Sequence, residues 1–113
     1  MAEQDFVQSA SAVFGVLTSS VTVAVPTIAD AETDVVAVDV SAATSFQPKV
    51  GDAVIAIPMA ALPTDCILNG AYITATDEVS ISFGTKEGGA GVTGANKSFR
   101  FLYFDCTTAS PGT

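Results

Sequence analysis

Apolar and polar residues alternate with a period of two along most of the chain, which is the pattern of a strand with one buried face. The alternation is clearest in EVSISFG, where Val79, Ile81 and Phe83 are separated by serines. The same pattern in SVTVAVP, TDVVAVDV and SFRFLYFD predicts these inward-facing side chains: Val21, Val23, Val25, Val36, Val38, Val40, Phe99, Phe101 and Tyr103. They are β-branched or aromatic, as strands favour, and the pattern predicts an all-β protein.

Two of the predicted strands are apolar on both faces. Residues 53–57 (AVIAI) are typical of a strand that is covered on both sides, and Pro58 ends it because proline cannot donate to a ladder. In the last strand, Leu102 and Phe104 lie opposite the Phe99 face. The plainer interpretation is that the whole strand packs in the core. Because one small sandwich buries only one face of each sheet, we also expect Leu102 and Phe104 to be buried against another copy of the chain.

The remaining segments complete an antiparallel β-sandwich with an extended N-terminal arm. CILNGAYITAT is expected to be a strand bent at Gly70, followed by a tight turn at 76–78. KEGGAGVTGANK is expected to be a long flexible hairpin loop, and SASAVFGVLTS is either a short helix or a strand. We assign residues 1–10 to the arm, 11–106 to the domain and 107–113 to a tail. The arm carries one large apolar anchor, Phe6, and we expect it to order only against a partner.

Composition restricts the possible partners. The chain has 113 residues, enough for one domain, and a net charge of -8, which opposes binding to nucleic acid. No apolar run approaches the ~20 residues of a membrane span, and the acidic start MAEQDF differs from a signal peptide, so an intracellular origin is expected. Lys86, Lys97 and Arg100 lie close together in sequence. They are interpreted either as solubility charge in a loop or as a basic patch that faces an acidic partner.

Candidate chemistry is sparse. The absence of histidine excludes the Ser-His-Asp and Cys-His triads, and a structural zinc site without histidine needs four cysteines. Cys66 and Cys106 are expected to be reduced, buried thiols, with a single disulfide as the alternative. Asp30, Glu32 and Asp34 resemble half of a calcium loop, but no acid closes it, so a solvated turn is favoured over a weak cation site. The expectation is no enzyme activity, no metal and no cofactor.

The order of several motifs resembles a known family. GDAVIAIP is followed by AALP, then by ILNGAYITA, DEVSISF and the aromatic strand FRFLYF. This series is similar to a family of small β-sandwich proteins encoded by tailed bacteriophages, several of which are capsid cement (decoration) proteins. The resemblance covers about residues 51–104 and is weaker in SSVTVAVPTIADAET. The chain departs from the family at Phe99, where a tryptophan is usual, and at Cys66.

The resemblance implies a jelly-roll sandwich that forms a homotrimer on the outside of a phage head, bound to the major capsid protein and assembled in the host cytoplasm. The residues expected at its contacts with the capsid or a neighbouring copy are Phe6, Leu102, Phe104, Lys86, Lys97 and Arg100. The alternative function is a head-fibre or tail accessory module that binds host-surface glycan through loops such as 86–97.

Overall fold

The computed structural model describes residues 15–44 and 47–105, and every regular element in these ranges is a β-strand. The seven strands are β1 (Gly15–Leu17), β2 (Val21–Val25), β3 (Thr33–Asp39), β4 (Ala53–Pro58), β5 (Cys66–Ala75), β6 (Glu78–Thr85) and β7 (Ala95–Phe104). The described part of SASAVFGVLTS is therefore strand β1, and the alternative of a helix there is wrong. No helix that could cross a membrane occurs in the described ranges.

The strands form two antiparallel sheets. In the four-stranded sheet β7 is central, with β4 on one side and β1 and β2 in line along the other. In the three-stranded sheet β6 is central between β3 and β5. Of the connections, only β5–β6 is a hairpin within one sheet. The connections β2–β3, β3–β4, β4–β5 and β6–β7 all cross between the sheets, so the prediction of a hairpin loop at 86–97 is wrong.

The core lies between the two sheets and confirms the predicted alternation. Phe83 of β6 meets Phe99 of β7 edge to face, with ring centroids 6.2 Å apart. Phe99 stacks on Phe101 in the same strand, at 6.3 Å between centroids. Most of the core is supplied by the predicted inward positions, of which these are fully or almost fully buried: Val23, Val25, Val38, Val40, Val79, Ile81, Phe83, Phe99, Phe101 and Tyr103. All-β class and a two-sheet architecture are therefore confirmed.

The β5–β6 hairpin has the predicted turn and bend. Asp77 occupies the turn with φ of 62°, a left-handed conformation that Asp tolerates better than most residues. Its N–H donates to the Pro48 carbonyl and its own carbonyl accepts the N–H of Val40, which ties the turn at two points to the connection between β3 and β4. The register with β6 shifts between Leu68 and Gly70, which confirms the irregularity expected at Gly70.

The segment between β6 and β7 is tied to the rest of the molecule. Val92 is buried and forms an isolated antiparallel bridge with Ile28 through hydrogen bonds of 3.0 and 2.8 Å. Gly91, beside it, has φ of 83°, and a Cβ there would lie only 2.6 Å from the Ile28 carbonyl oxygen. Position 91 therefore requires glycine for two reasons: the backbone of Ile28 approaches closely, and the φ angle is left-handed.

Strand β4 differs from its prediction. Its inner face contributes the buried Ala56, but Ala53 and Ile55 on the other face are exposed. The strand pairs only with β7, so it is an edge strand of the four-stranded sheet. The edge position also explains why Pro58 can be its last residue, since a proline is tolerated where no neighbour needs its N–H. The expected covering of both faces is therefore wrong for the single chain.

Candidate functional site

The most distinctive surface is on the outside of the four-stranded sheet, where β1, β7 and β4 run side by side. Cross-strand pairing places Leu17, Leu102 and Ile55 in one row across the three strands. Gly15, Phe104 and Ala53 form the next row. We call these six residues, together with Ile57 of β4, the apolar face. Leu17 is 46% exposed and Ile55 is 51% exposed, so the face is open to solvent in the single chain.

Strand alternation explains why these residues share a face. On β7, Phe101 and Tyr103 point into the core, so Leu102 and Phe104 must point outward. A Cβ at Gly15 would lie 3.1 Å from Leu102 Cδ1 and 3.3 Å from Phe104 Cε1. The two side chains therefore lie over the glycine, which makes them half-buried and packs them into one continuous surface. Leu102 and Phe104 were both predicted as contact residues, and the fold brings them together.

The apolar face has one charged neighbour. Arg100 is the next outward residue of β7, opposite Ile57, and its Nε donates to the Thr18 carbonyl at 2.7 Å. Beyond it the outward positions of β7 are Ser98 and Asn96. Arg100 is the only charged residue at any outward position of the four strands in this sheet. The surface is thus apolar at one end, polar at the other, and free of carboxylates throughout.

The other predicted contact residues are not gathered at this face. Lys97 pairs with Val23 and is half-buried on the inward-facing side of β7, opposite to the side of Arg100. Lys86 is exposed just after β6, where its N–H donates to the Asp65 carbonyl at 2.9 Å. The structure therefore separates the three bases that are close in sequence. Phe6 lies outside the described residues.

Exposed apolar residues also occur on the outside of the three-stranded sheet, but they do not form a comparable surface. Val35, Ile67 and Tyr72 are about half exposed there. The central strand between them presents Ser80 and Ser82 outward, so hydroxyl groups separate the apolar side chains. Single apolar residues on a polar surface are common and need no special role.

The carboxylates and the cysteine do not assemble into a reactive site in the described ranges. Asp30, Glu32 and Asp34 are exposed. The Glu32 N–H donates to the Ala29 carbonyl at 3.1 Å and closes a turn that contains Asp30, but Asp34 already belongs to β3, so the prediction of a turn is wrong for that residue. No group of three metal-ligating side chains occurs among residues 15–44 and 47–105. Cys66 is a free, half-buried thiol whose pKa is raised by burial, which disfavours the reactive thiolate. Cys106 lies outside the described residues.

One end of the core contains polar groups with structural roles. Asp52 Oδ2 accepts the Lys49 N–H at 3.1 Å, while the Asp52 N–H donates to the Lys49 carbonyl, which forms the turn that leads into β4. Burial raises the pKa of the Tyr103 hydroxyl well above its usual range, and the nearby negative charge of Asp77 raises it further. A phenol held in its neutral form is suited to packing and not to proton transfer near neutral pH.

Sequence reasoning did not predict that Leu17 and Ile55 belong to the apolar face, although the sequence contains some indication for Ile55. Ile55 belongs to the doubly apolar run of β4, but its exposure depends on β4 being an edge strand. Leu17 lies in a strand of only three residues, too short for alternation to be read. Both residues belong to a chain with more apolar strand positions than one core can bury, and that excess was the sign that some of them would lie on an exposed face.

No family model, curated protein or solved structure matches the chain. The class of protein that the fold and surface define is an all-β, two-sheet protein with an open apolar sheet face. Its function is inferred below from that face together with the resemblance of residues 51–104.

Proposed function

We propose that this protein is a structural capsid cement (decoration) protein that binds the outer surface of a phage head as a homotrimer. In this role it contacts the major capsid protein and stabilises the joints between capsomers. The observation that carries the proposal is the apolar face: Leu17, Ile55, Leu102 and Phe104 form one surface that a single chain leaves open. An exposed apolar surface of this kind marks a site of protein association.

The electrostatics favour association through this face. The chain carries a net charge of -8, so two copies repel each other wherever their acids approach. The outward positions of the four-stranded sheet contain no Asp or Glu, and their one charge is Arg100. Copies of the chain can therefore meet at this face without burying unpaired carboxylates, which would cost several kcal/mol each.

The connectivity of the strands supports a jelly roll, to which the proposal adds an extended N-terminal arm. Strands β2 and β4 flank β7 in one sheet, while β3 and β5 flank β6 in the other. The chain thus alternates between sheets from β2 to β5, as it does when a long antiparallel ribbon is wound into a jelly roll. Strands wound in this way give a compact body whose sheet faces remain available for contacts.

The sparse chemistry fits a structural role. The described acids form no cluster of three, the described cysteine is a half-buried thiol, and the buried Asp52 supports a turn. The protein would act by binding an assembled shell more tightly than its separated parts. A ligand that binds only the intact state stabilises that state by mass action.

The experiment that tests this proposal uses virions that lack the protein. We expect them to assemble but to lose DNA at a lower temperature, or on removal of magnesium, than complete particles. Purified protein should restore their resistance. The Ile55→Asp variant should fail to restore it, whereas Thr22→Asp, on the polar end of the same sheet face, should succeed.

Depleted particles that resist heat as well as complete ones would overturn the cement function. Binding of the isolated protein to host cells or to their polysaccharide would then favour the head-fibre or tail accessory function.

A further inference from the structure

We propose that the N-terminal segment of one copy, residues 1–14, packs on the apolar face of a neighbouring copy. This inference rests on the proposed self-association and names the occupant of the face.

The position of the segment is the first argument. It leads directly into Gly15, the first residue of β1, and Gly15 pairs with Phe104 inside the apolar face. The segment after β7 starts at the same place, because Asp105 follows Phe104. Two terminal segments, 1–14 and 106–113, therefore leave the molecule beside the surface that needs covering.

Composition selects the first of these two segments. Residues 106–113 (CTTASPGT) contain no large apolar side chain, so they offer little to bury against leucine and isoleucine. Besides Met1 and three alanines, residues 1–14 contain two adjacent pairs of larger apolar side chains, which are Phe6 with Val7 and Val13 with Phe14. Burial of these side chains offsets part of the conformational entropy that is lost when the segment becomes ordered.

Charge points to the same occupant. Asp5 immediately precedes Phe6, and Glu3 lies two residues before Asp5. Arg100 is the only charged residue at the outward positions of the four-stranded sheet, and it lies at the border of the apolar face. An acidic segment meets repulsion from an acidic chain elsewhere, whereas here it meets a cation next to an apolar surface.

Local sequence favours a neighbouring copy over the same chain. Gly15 is part of β1, so the chain arrives at the face already extended. To lie on its own face, residues 1–14 would have to reverse direction just before Gly15. Residues 12–14 (AVF), which directly precede Gly15, contain none of Gly, Pro, Asn, Asp and Ser, the residues that tight reversals use most. When fully extended, the 14 residues of the segment reach about 46 Å, which is enough to cross to an adjacent molecule.

Site-directed cross-linking tests the inference in the full chain. In a Cys66→Ser, Cys106→Ser background, one preparation carries Gln8→Cys and a second, isotopically labelled preparation carries Ala53→Cys. The two are refolded together, treated with a short bis-maleimide and digested for mass spectrometry. We expect a cross-link between positions 8 and 53 that joins a labelled to an unlabelled chain.

A matched control replaces Ala53→Cys with Ala37→Cys, because Ala37 is also an exposed alanine on an outward strand position but belongs to the three-stranded sheet. Cross-linking to position 37 should be at least tenfold lower. Light scattering of every preparation shows whether the assembly has survived the substitutions.

The possible outcomes separate this inference from the proposed function. A trimer without an 8–53 cross-link above the control overturns the arm contact and leaves the cement function standing. A monomer in which a Gln8→Cys, Ala53→Cys double variant cross-links within one chain overturns both the exchange and the self-association.

Discussion

Thr18 and Phe101 exchange two hydrogen bonds across the interruption between β1 and β2. The Thr18 N–H donates to the Phe101 carbonyl at 2.9 Å, and the Phe101 N–H donates to Thr18 Oγ1 at 3.0 Å. In an ordinary ladder the second acceptor would be the Thr18 carbonyl, which here accepts from Arg100 Nε instead. The hydroxyl thus replaces a backbone acceptor. The strand pairing along this side of β7 can therefore be interrupted at Thr18, between β1 and β2, without leaving the buried Phe101 N–H unpaired.

Thr18→Val is therefore expected to lower the free energy of unfolding by about 1–3 kcal/mol, because it keeps the shape of the side chain and removes the acceptor. Thr18→Ser keeps the hydroxyl and should cost less. Urea unfolding at a fixed protein concentration measures both. Equal losses in the two variants would mean that packing of the methyl group, and not the hydroxyl, matters at this position.

Association should be sensitive to charge on the apolar face. Ile55→Asp places a carboxylate in the proposed contact, which costs several kcal/mol when it is buried without a partner. Thr22→Asp adds the same charge at the polar end of the same sheet face, where a surface change usually stays within about 0.5 kcal/mol. We expect a mass near three chains for the wild type and for Thr22→Asp in light scattering, and a smaller mass for Ile55→Asp. Phe104→Asp should also weaken the trimer, and an unchanged mass for both face variants would contradict the contact.

Two glycines test whether the segment between β6 and β7 is anchored. Gly88 and Gly91 both have φ of 83°, but a Cβ at Gly88 meets nothing within 4 Å, while one at Gly91 would lie 2.6 Å from the Ile28 carbonyl oxygen. Gly88→Ala should cost only the strain of the left-handed backbone, about 1–2 kcal/mol. Gly91→Ala should cost clearly more, because the Ile28–Val92 bridge must also move. Thermal unfolding of the two variants gives the comparison, and equal melting temperatures would argue against the anchor.

Tyr103 should make stability fall at alkaline pH. Its pKa in the folded protein is raised by burial, with Asp77 adding to the effect, above the value of 10.0 expected for an ordinary tyrosine. Above about pH 10 the unfolded chain loses the phenolic proton while the native state retains it, so unfolding becomes more favourable as pH rises. Below that pH this group contributes no dependence. Denaturant midpoints measured across this range should fall less steeply for Tyr103→Phe, and parallel curves would exclude Tyr103 as the cause.

The core could be predicted from sequence because alternation is a local property. Whichever strand β6 pairs with, Val79, Ile81 and Phe83 share a face, and the buried one must be apolar. The same reasoning placed Leu102 and Phe104 outward. The turn at Asp77 was equally local, since it depends on residues that adopt left-handed conformations.

The pairing of strands could not be predicted in this way. Two strands joined by a glycine-rich segment favour a hairpin on sequence alone, yet β6 and β7 belong to different sheets. Strand β6 pairs with β5 and β3, whereas β7 pairs with β1, β2 and β4, which are all distant from it in sequence. Glycine itself is ambiguous, since it serves both flexible loops and close backbone contacts. At Gly91 the contact with Ile28 decides between the two, and only the tertiary structure supplies it. The exposure of Ile55 has the same origin, because it follows from β4 lying at an edge.

Because β7 is the central strand of its sheet and the last to be synthesised, the four-stranded sheet forms late. Strands β1, β2 and β4 each bond to β7 and to no other strand, yet all three leave the ribosome several seconds before it, at about 5–20 residues per second. The hairpin of β5 and β6 can pair with β3 earlier, but the other sheet has no template until residues 95–104 emerge. The row of Leu17, Leu102 and Ile55 forms at the same time, when β7 pairs with β1 and β4. A nascent chain therefore gains its fold and its adhesive surface together, so copies that are still incomplete have no finished surface with which to recognise one another.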